Sequence, residues 1–298
     1  MPTLNYATEY SQVLAQAYPY VLNFGALYNV ENDRRYRWTG AKTIEIPSIS
    51  TTGRVDGNRD TIDTAKRNYE NAWEPKVLEN HRKWSTLVHP MDIDETNQVA
   101  SISNITQVYN EEQKFPEMDA YLVSKVYADW TAQTKTADTT ALTADNVLSV
   151  FDALMQKMTD NRVPVNGRIL YVTPAVETLI KNAKSITRMV NTKDGGTSYN
   201  RLVSDIDKVQ IVSVPSNLMK TAYDFTTGWQ VGAGAKQINM FLVHPSAIIT
   251  PTKYEFAKLD EPSAGSEGKY VYFEESYEDV FILNKKADGI QFNVEAGA

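Results

Sequence analysis

Asp92-Ile-Asp-Glu-Thr-Asn-Gln-Val-Ala-Ser-Ile-Ser-Asn-Ile-Thr-Gln-Val-Tyr-Asn-Glu-Glu-Gln-Lys-Phe-Pro-Glu-Met-Asp-Ala-Tyr-Leu-Val-Ser-Lys-Val-Tyr-Ala-Asp-Trp130 is the stretch on which the fold turns. Val99, Ile102, Ile105 and Tyr109 recur at spacings of three and four, which predicts a helix over 96–112 with one apolar stripe. Met118, Leu122, Val126 and Trp130 step by four and predict a second helix over 116–130. Asp94 and Glu95 suit the N-terminus of the first helix, where carboxylates meet unpaired N–H groups. Pro116 suits the first turn of the second, so Phe115-Pro116 reads as a joint between two helices. End to end the pair would reach roughly 50 Å at about 1.5 Å per residue, the length of a spine.

On the C-terminal side, residues 133–143 read as a Thr/Ala/Asp-rich linker. Val147, Val150, Phe151, Leu154 and Met158 then form a helical stripe, with Thr143 as N-cap and Gly167 closing the unit. Apolar strands at 168–172, 209–214 and 238–243, with a helix starting at Thr173-Pro174, predict a compact α/β unit over 137–246. Beyond His244-Pro245 the runs 270–274, 279–283 and 290–294 are all β-type and predict a small closing sheet over 247–298.

On the N-terminal side, residues 1–34 carry a short amphipathic pattern that stops before Pro19, too little for a core, and read as an arm. Residues 35–90 hold two alternating strands, 43–49 and 84–88, joined by a long polar excursion containing Arg54, Arg59, Lys66 and Trp73. Loops of that length in compact domains are functional or disordered. An extended hairpin reaching a neighbouring molecule is one reading and a mobile surface loop the other. Arg54, Arg59, Lys66 and Trp73 are the candidate inter-subunit contacts, Arg and Trp because they dominate interface hot spots.

The composition narrows function further. Lys and Arg total 30 against 37 Asp and Glu, a net charge of −7, which excludes general nucleic-acid binding driven by counterion release. There is no cysteine, which removes disulfides, thiolate catalysis and thiolate zinc sites and fits a reducing cytoplasm. No apolar run nears the roughly 20 residues of a membrane span, and no signal-like segment opens the chain. Seventeen tyrosines and five tryptophans fit a protein with large interfaces.

Catalytic patterns are missing. His81, His89 and His244 lack i, i+4 partners, and the two His-Pro pairs read as turns. No Gly-x-Ser-x-Gly elbow is present, and Asp92-x-Asp94-Glu95 lacks the rest of a calcium loop, so it reads as helix capping. Gly232-Ala-Gly234 does not extend to a dinucleotide fingerprint, because position 237 is Gln. Trp73, Trp84 and Trp130 fall in three different elements and read as packing, not as a sugar platform. No catalytic residue, cofactor or metal ligand is assigned. Residues 1–90 form extensions that cannot bury themselves, which points to burial by copies of the same chain.

The order arm, extended loop, spine, α/β unit and closing strands resembles the major capsid protein of tailed bacteriophages. Two stretches resemble motifs of capsid proteins from phages of Gram-positive hosts: Arg82–Asn97 with Phe115-Pro-Glu-Met-Asp-Ala-Tyr121, and Tyr277–Ile290. The resemblance implies an α+β tailed-phage capsid fold with an arm (1–34), an extended β-hairpin loop (35–90), a peripheral domain with the spine (91–136), an axial domain (137–246) and a peripheral closing sheet (247–298). It further implies assembly into pentamers and hexamers of an icosahedral shell around double-stranded DNA. Expected partners are a separate scaffolding protein, a portal and a decoration protein, with non-specific contact to the packaged genome and no membrane. Interfaces should bury about 2,000–5,000 Å² per subunit pair. The expected location is the virion, assembled in the host bacterial cytoplasm, and no cross-link through Lys66 or Lys76 is expected. The competing readings are a bacterial nanocompartment shell of the same fold, a hydrolase with unplaced carboxylates, and a phage tail or adhesion module.

Overall fold

The computed structural model of the protein describes residues 20–28, 36–56, 67–96, 100–183 and 205–296. In chain order they form α1 (Gly25–Tyr28), β1 (Arg37–Trp38), β2 (Thr43–Thr51), β3 (Tyr69–Val77), β4 (His81–Val88), α2 (Pro90–Glu95), α3 (Ile102–Tyr109) and α4 (Phe115–Ala132). Next come α5 (Val147–Asp160), β5 (Ile169–Val172), α6 (Pro174–Asn182), β6 (Asp205–Ile206), β7 (Val209–Ser213), β8 (Tyr223–Asp224), β9 (Gln230–Val231) and β10 (Ile238–Val243). The closing part holds β11 (Ile248–Ile249), β12 (Thr252–Asp260), β13 (Tyr270–Glu278), β14 (Phe281–Ile282) and β15 (Ile290–Val294).

The spine is present but is built differently from its sequence pattern. Asp94 and Glu95 close the short helix α2, with Thr96 as its C-cap, so they do not sit at a helix N-terminus. Ser101 caps α3 instead, its hydroxyl accepting from the Asn104 N–H at 3.3 Å. Phe115-Pro116 is not a joint. Asn110–Lys114 is a π-helical turn whose flanking residues keep helical angles, and the Phe115 N–H bonds to the Asn110 carbonyl five residues back. A widened turn makes room for the proline ring without breaking the rod. Helical backbone therefore runs from Ile102 to Ala132, about 45 Å at about 1.5 Å per residue. Of the two stripes, Leu122, Val126 and Trp130 are fully buried, whereas Ile102, Ile105 and Tyr109 are only half-buried; Val99 lies outside the described residues.

Around the spine sits a five-stranded sheet in the order β15-β10-β5-β7-β6, with β5 and β7 parallel and the other pairs antiparallel. Its strands are apolar on both faces because both are covered. On β5 and β10, Ile169, Tyr171, Phe241 and Val243 face α4, while Leu170, Val172, Met240 and Leu242 face α5 and α6. Phe241 stacks on Phe292 at 4.7 Å between centroids, and Phe24 from the N-terminal segment lies 4.5 Å from Tyr171. The residues described in 20–28 thus fill the chain's own core. Gly167, with φ +85°, makes the tight turn from the α5 unit into β5, a conformation a side chain would strain.

Two strand pairings differ from the sequence reading. The hairpin at 43–77 pairs β2 with β3, from Thr43↔Val77 to Thr51↔Tyr69, and β4 pairs with β13 instead. Alternation alone reports which face a strand buries, not its partner. The three closing runs do not share one sheet: β13 lies between β12 and β4, β14 pairs with β11, and β15 joins the five-stranded sheet. Thr143 does not cap α5 through its side chain; Asn146 holds that position, its side-chain oxygen accepting from the Thr143 N–H at 2.8 Å.

Candidate functional site

Two long hairpins, β2–β3 and β12–β13, carry most of the large apolar side chains that the fold leaves exposed among the described residues. Ile49 (65% exposed) and Val55 (87%) lie toward the tip of the first hairpin, and Tyr69, Trp73 and Val77 are exposed on its return strand. Every residue of β12 is exposed, including Tyr254, Phe256 and Leu259. Apolar side chains grouped on projecting elements are the mark of an interaction surface.

The elements beneath and beside these projections are tied together by hydrogen bonds and ion pairs. Asp119, fully buried on α4, accepts from the Asn23 N–H at 2.9 Å, the Phe24 N–H at 3.2 Å and the Tyr20 hydroxyl. Burial lifts its carboxyl above the usual carboxylate range, against the pull of those hydrogen bonds. Asp279, equally buried, accepts from the Glu79 N–H, the Tyr121 hydroxyl and the Val280 N–H at 2.8, 2.8 and 2.7 Å. It ties the β3–β4 turn to α4. Arg82 on β4 donates to Glu117 at 2.6 Å and to the carbonyls of Phe225 and Gly228 at 2.6 and 3.4 Å, joining the second sheet, the spine and the β8–β9 hairpin. Lys76 and Lys285 hold the first hairpin down through Asn284 Oδ1 and the Ile49 carbonyl, at 3.0 and 2.6 Å.

Of the four candidate contacts, Trp73 lies on β3 opposite Pro47, 46% exposed, with the Arg37 guanidinium 4.8 Å above its ring. Arg54 is exposed beyond the end of β2, nearer the tip. Arg59 and Lys66 lie outside the described residues, so the structure does not bring the four together. The sequence reading missed the anchors Asp119 and Asp279. A signal for Asp119 existed: α4 carries apolar residues on more than one side, so an acid among them must have donors to meet it.

The chemistry available at this surface is contact chemistry. His89 and His244 act as helix N-caps through Nδ1, accepting from the Met91 and Ser246 N–H groups at 3.1 and 3.3 Å. Ser246 Oγ lies 2.8 Å from His244 Nδ1 as part of the same cap. Burial lowers the His244 pKa. Among the described residues no three His, Cys, Asp or Glu side chains converge on a metal-sized site, and no helix is long and apolar enough to cross a membrane. The clefts beside Glu278 hold about 50 and 40 Å³, room for a water or two.

No protein-family model matches the sequence, and no curated protein matches it either. Solved structures do match, over nearly their whole length. The capsid of the cyanophage P-SCSP1u aligns at TM-score 0.70 with 15% identity, covering 98% of this chain and 93% of that one. The mature capsid of bacteriophage PhiM1 aligns at TM-score 0.68 with 13% identity, covering 99% and 93%. The head structure of Helicobacter pylori bacteriophage KHP40 aligns at TM-score 0.62 with 11% identity, covering 98% of this chain and 95% of that one. The chain has the tailed-phage capsid fold.

Proposed function

We propose that this chain is the major capsid protein of a tailed bacteriophage, assembling as pentamers and hexamers into the icosahedral shell around a double-stranded DNA genome. The observation that carries the reading is the match to phage capsids over nearly the whole of both chains, projections included. Covalent and catalytic machinery is not what such a fold needs. A packed genome resists bending, since DNA has a persistence length of about 50 nm, and pushes outward on its container. Hairpins with exposed apolar residues and rigid roots distribute that load over several neighbours. The net charge of −7 keeps the wall from gripping the DNA it encloses. In this reading residues 91–136 and 247–298 serve the peripheral domain, 137–246 the axial domain around five-fold and six-fold positions, and Arg54, Arg59, Lys66 and Trp73 the contacts between subunits. The partners are a scaffolding protein and a portal, and assembly takes place in the cytoplasm of the bacterial host.

The test is expression of the chain alone and with a candidate scaffolding protein, followed by sedimentation and negative-stain electron microscopy. Closed shells, or five- and six-membered rings, are the expected result. A monomer at every concentration and with every scaffold would sink the proposal.

A further inference from the structure

Strand β12 forms one edge of the sheet β12-β13-β4, and all nine of its residues are exposed. An open edge of that length is a template for another strand. Several other edges among the described residues are covered, short or interrupted. The outer edge of β15 is covered by Asp138, whose N–H bonds to the Phe292 carbonyl at 2.9 Å and whose carbonyl accepts from Val294 at 2.8 Å. Strands β1 and β6 have two residues each. Edge strand β3 carries Pro75, which lacks the N–H a ladder needs. β4, at the far side of the same sheet, alternates half-buried with exposed residues.

We infer that β12 pairs antiparallel with β12 of a second copy across a two-fold axis centred on Ala257; the inference rests on the assembly reading above. A two-fold axis normal to a sheet keeps faces, so one residue must stand opposite itself. Centring on Glu255 or Lys258 sets like charges face to face. Centring on Phe256 shortens the overlap, because the ladder with β13 shifts between Thr252 and Tyr254 and the regular strand runs from Tyr254 to Asp260. Ala257 is the midpoint of that regular run. With Ala257 on the axis, Tyr254 faces Asp260 and Phe256 faces Lys258. Within one chain the Tyr254 and Phe256 rings stack at 6.2 Å with 9° between planes, and Lys258 pairs with Asp260 at 2.6 Å. The stacked rings of each copy therefore meet the ion pair of the other, ammonium over ring and carboxylate toward phenol, twice per interface. On the other face the small side chain of Ala257 lets the backbones approach at the axis.

The cysteine-free sequence makes the test direct. Single variants Glu255→Cys, Phe256→Cys, Ala257→Cys and Lys258→Cys are assembled, oxidised and run on non-reducing denaturing gels. Opposed residues of an antiparallel pair have Cα atoms about 4.5–5.5 Å apart, within the span of a disulfide. Ala257→Cys should give a dimer band about tenfold stronger than the other three. The double variant Phe256→Cys/Lys258→Cys should give dimers where each single change does not, a check independent of position 257. Shells in the microscope without either dimer overturn the strand pairing and leave the assembly reading standing. A dimer at a different single position overturns the register. A wild-type chain that stays monomeric overturns both.

Discussion

Strands β10 and β12 both carry large apolar side chains, and these meet opposite fates. In β10, Met240, Phe241, Leu242 and Val243 are fully buried between the spine and the α5–α6 layer. In β12, Tyr254, Phe256 and Leu259 lie open on an edge. β-propensity is the same kind of signal in both, and what separates them is whether the chain supplies a cover. The interior sheet is finished by folding. The hairpins are rigid at the root, unfinished on the outside, and completed only by another molecule.

The sharpest way to break that contrast is to empty the finished side. Phe241→Ala removes a ring stacked on Phe292 and packed near Tyr171 and Phe24, and should destabilise the subunit by about 3–5 kcal/mol. Denaturant unfolding of the unassembled subunit measures it. A loss below about 1 kcal/mol would mean that the five-stranded sheet is not the folding core.

Asp119→Ala comes next. It leaves the Asn23 and Phe24 N–H groups and the Tyr20 hydroxyl without their acceptor, at about 3 kcal/mol in all. Tyr20→Phe, which removes one donor, should lose about 1 kcal/mol and serves as the scale. If the alanine variant unfolds at the wild-type midpoint, residues 20–28 are not docked as described.

Trp73→Ala should do the reverse of Phe241→Ala. Half of the ring is already in solvent, so subunit stability should fall by about 1 kcal/mol or less, mostly from the lost Arg37 stacking. Particle yield should fall by about tenfold, the loss of a typical interface hot spot. Quantifying shells by sedimentation at matched soluble concentration separates the two effects; unchanged yield removes Trp73 from the contacts.

These differences also explain what the sequence disclosed. Helical stripes such as Val147-Val150-Phe151-Leu154-Met158, and the apolar runs of β5 and β10, were legible because burial imposes a period and both faces of their sheet are covered. Partner strands were not legible, since β2 alternates in the same way whether β3 or β4 lies beside it. The spine was read as two helices jointed at Phe115-Pro116 because proline suits a first helical turn, and nothing in residues 110–114 announces the wider turn. For the candidate surface, exposed apolar residues look like core residues in sequence, and β12, whose Tyr254 and Phe256 lie open, was not among the strands the sequence reading found.

The smallest expected effect lies where the two regions join. Glu278 ends β13 beside the β3–β4 turn and faces Lys114, Glu255, Asp279 and Glu117. Burial raises its pKa, Lys114 opposes the rise, and the three acids add to it. A raised folded-state pKa means that the folded chain holds this proton more tightly than the unfolded chain. Its contribution is therefore fully present below the ordinary carboxylate range and is lost as pH rises through the raised value. Glu278→Gln mimics the protonated form and cannot ionise. Its unfolding free energy should match wild type near about pH 4 and exceed it at about pH 7, by about 1 kcal/mol or less because solvent at the cleft mouth screens the charges. Wild type gaining on the glutamine variant as pH rises would mean that Lys114 outweighs burial, and that the root of the second hairpin is held by an ion pair.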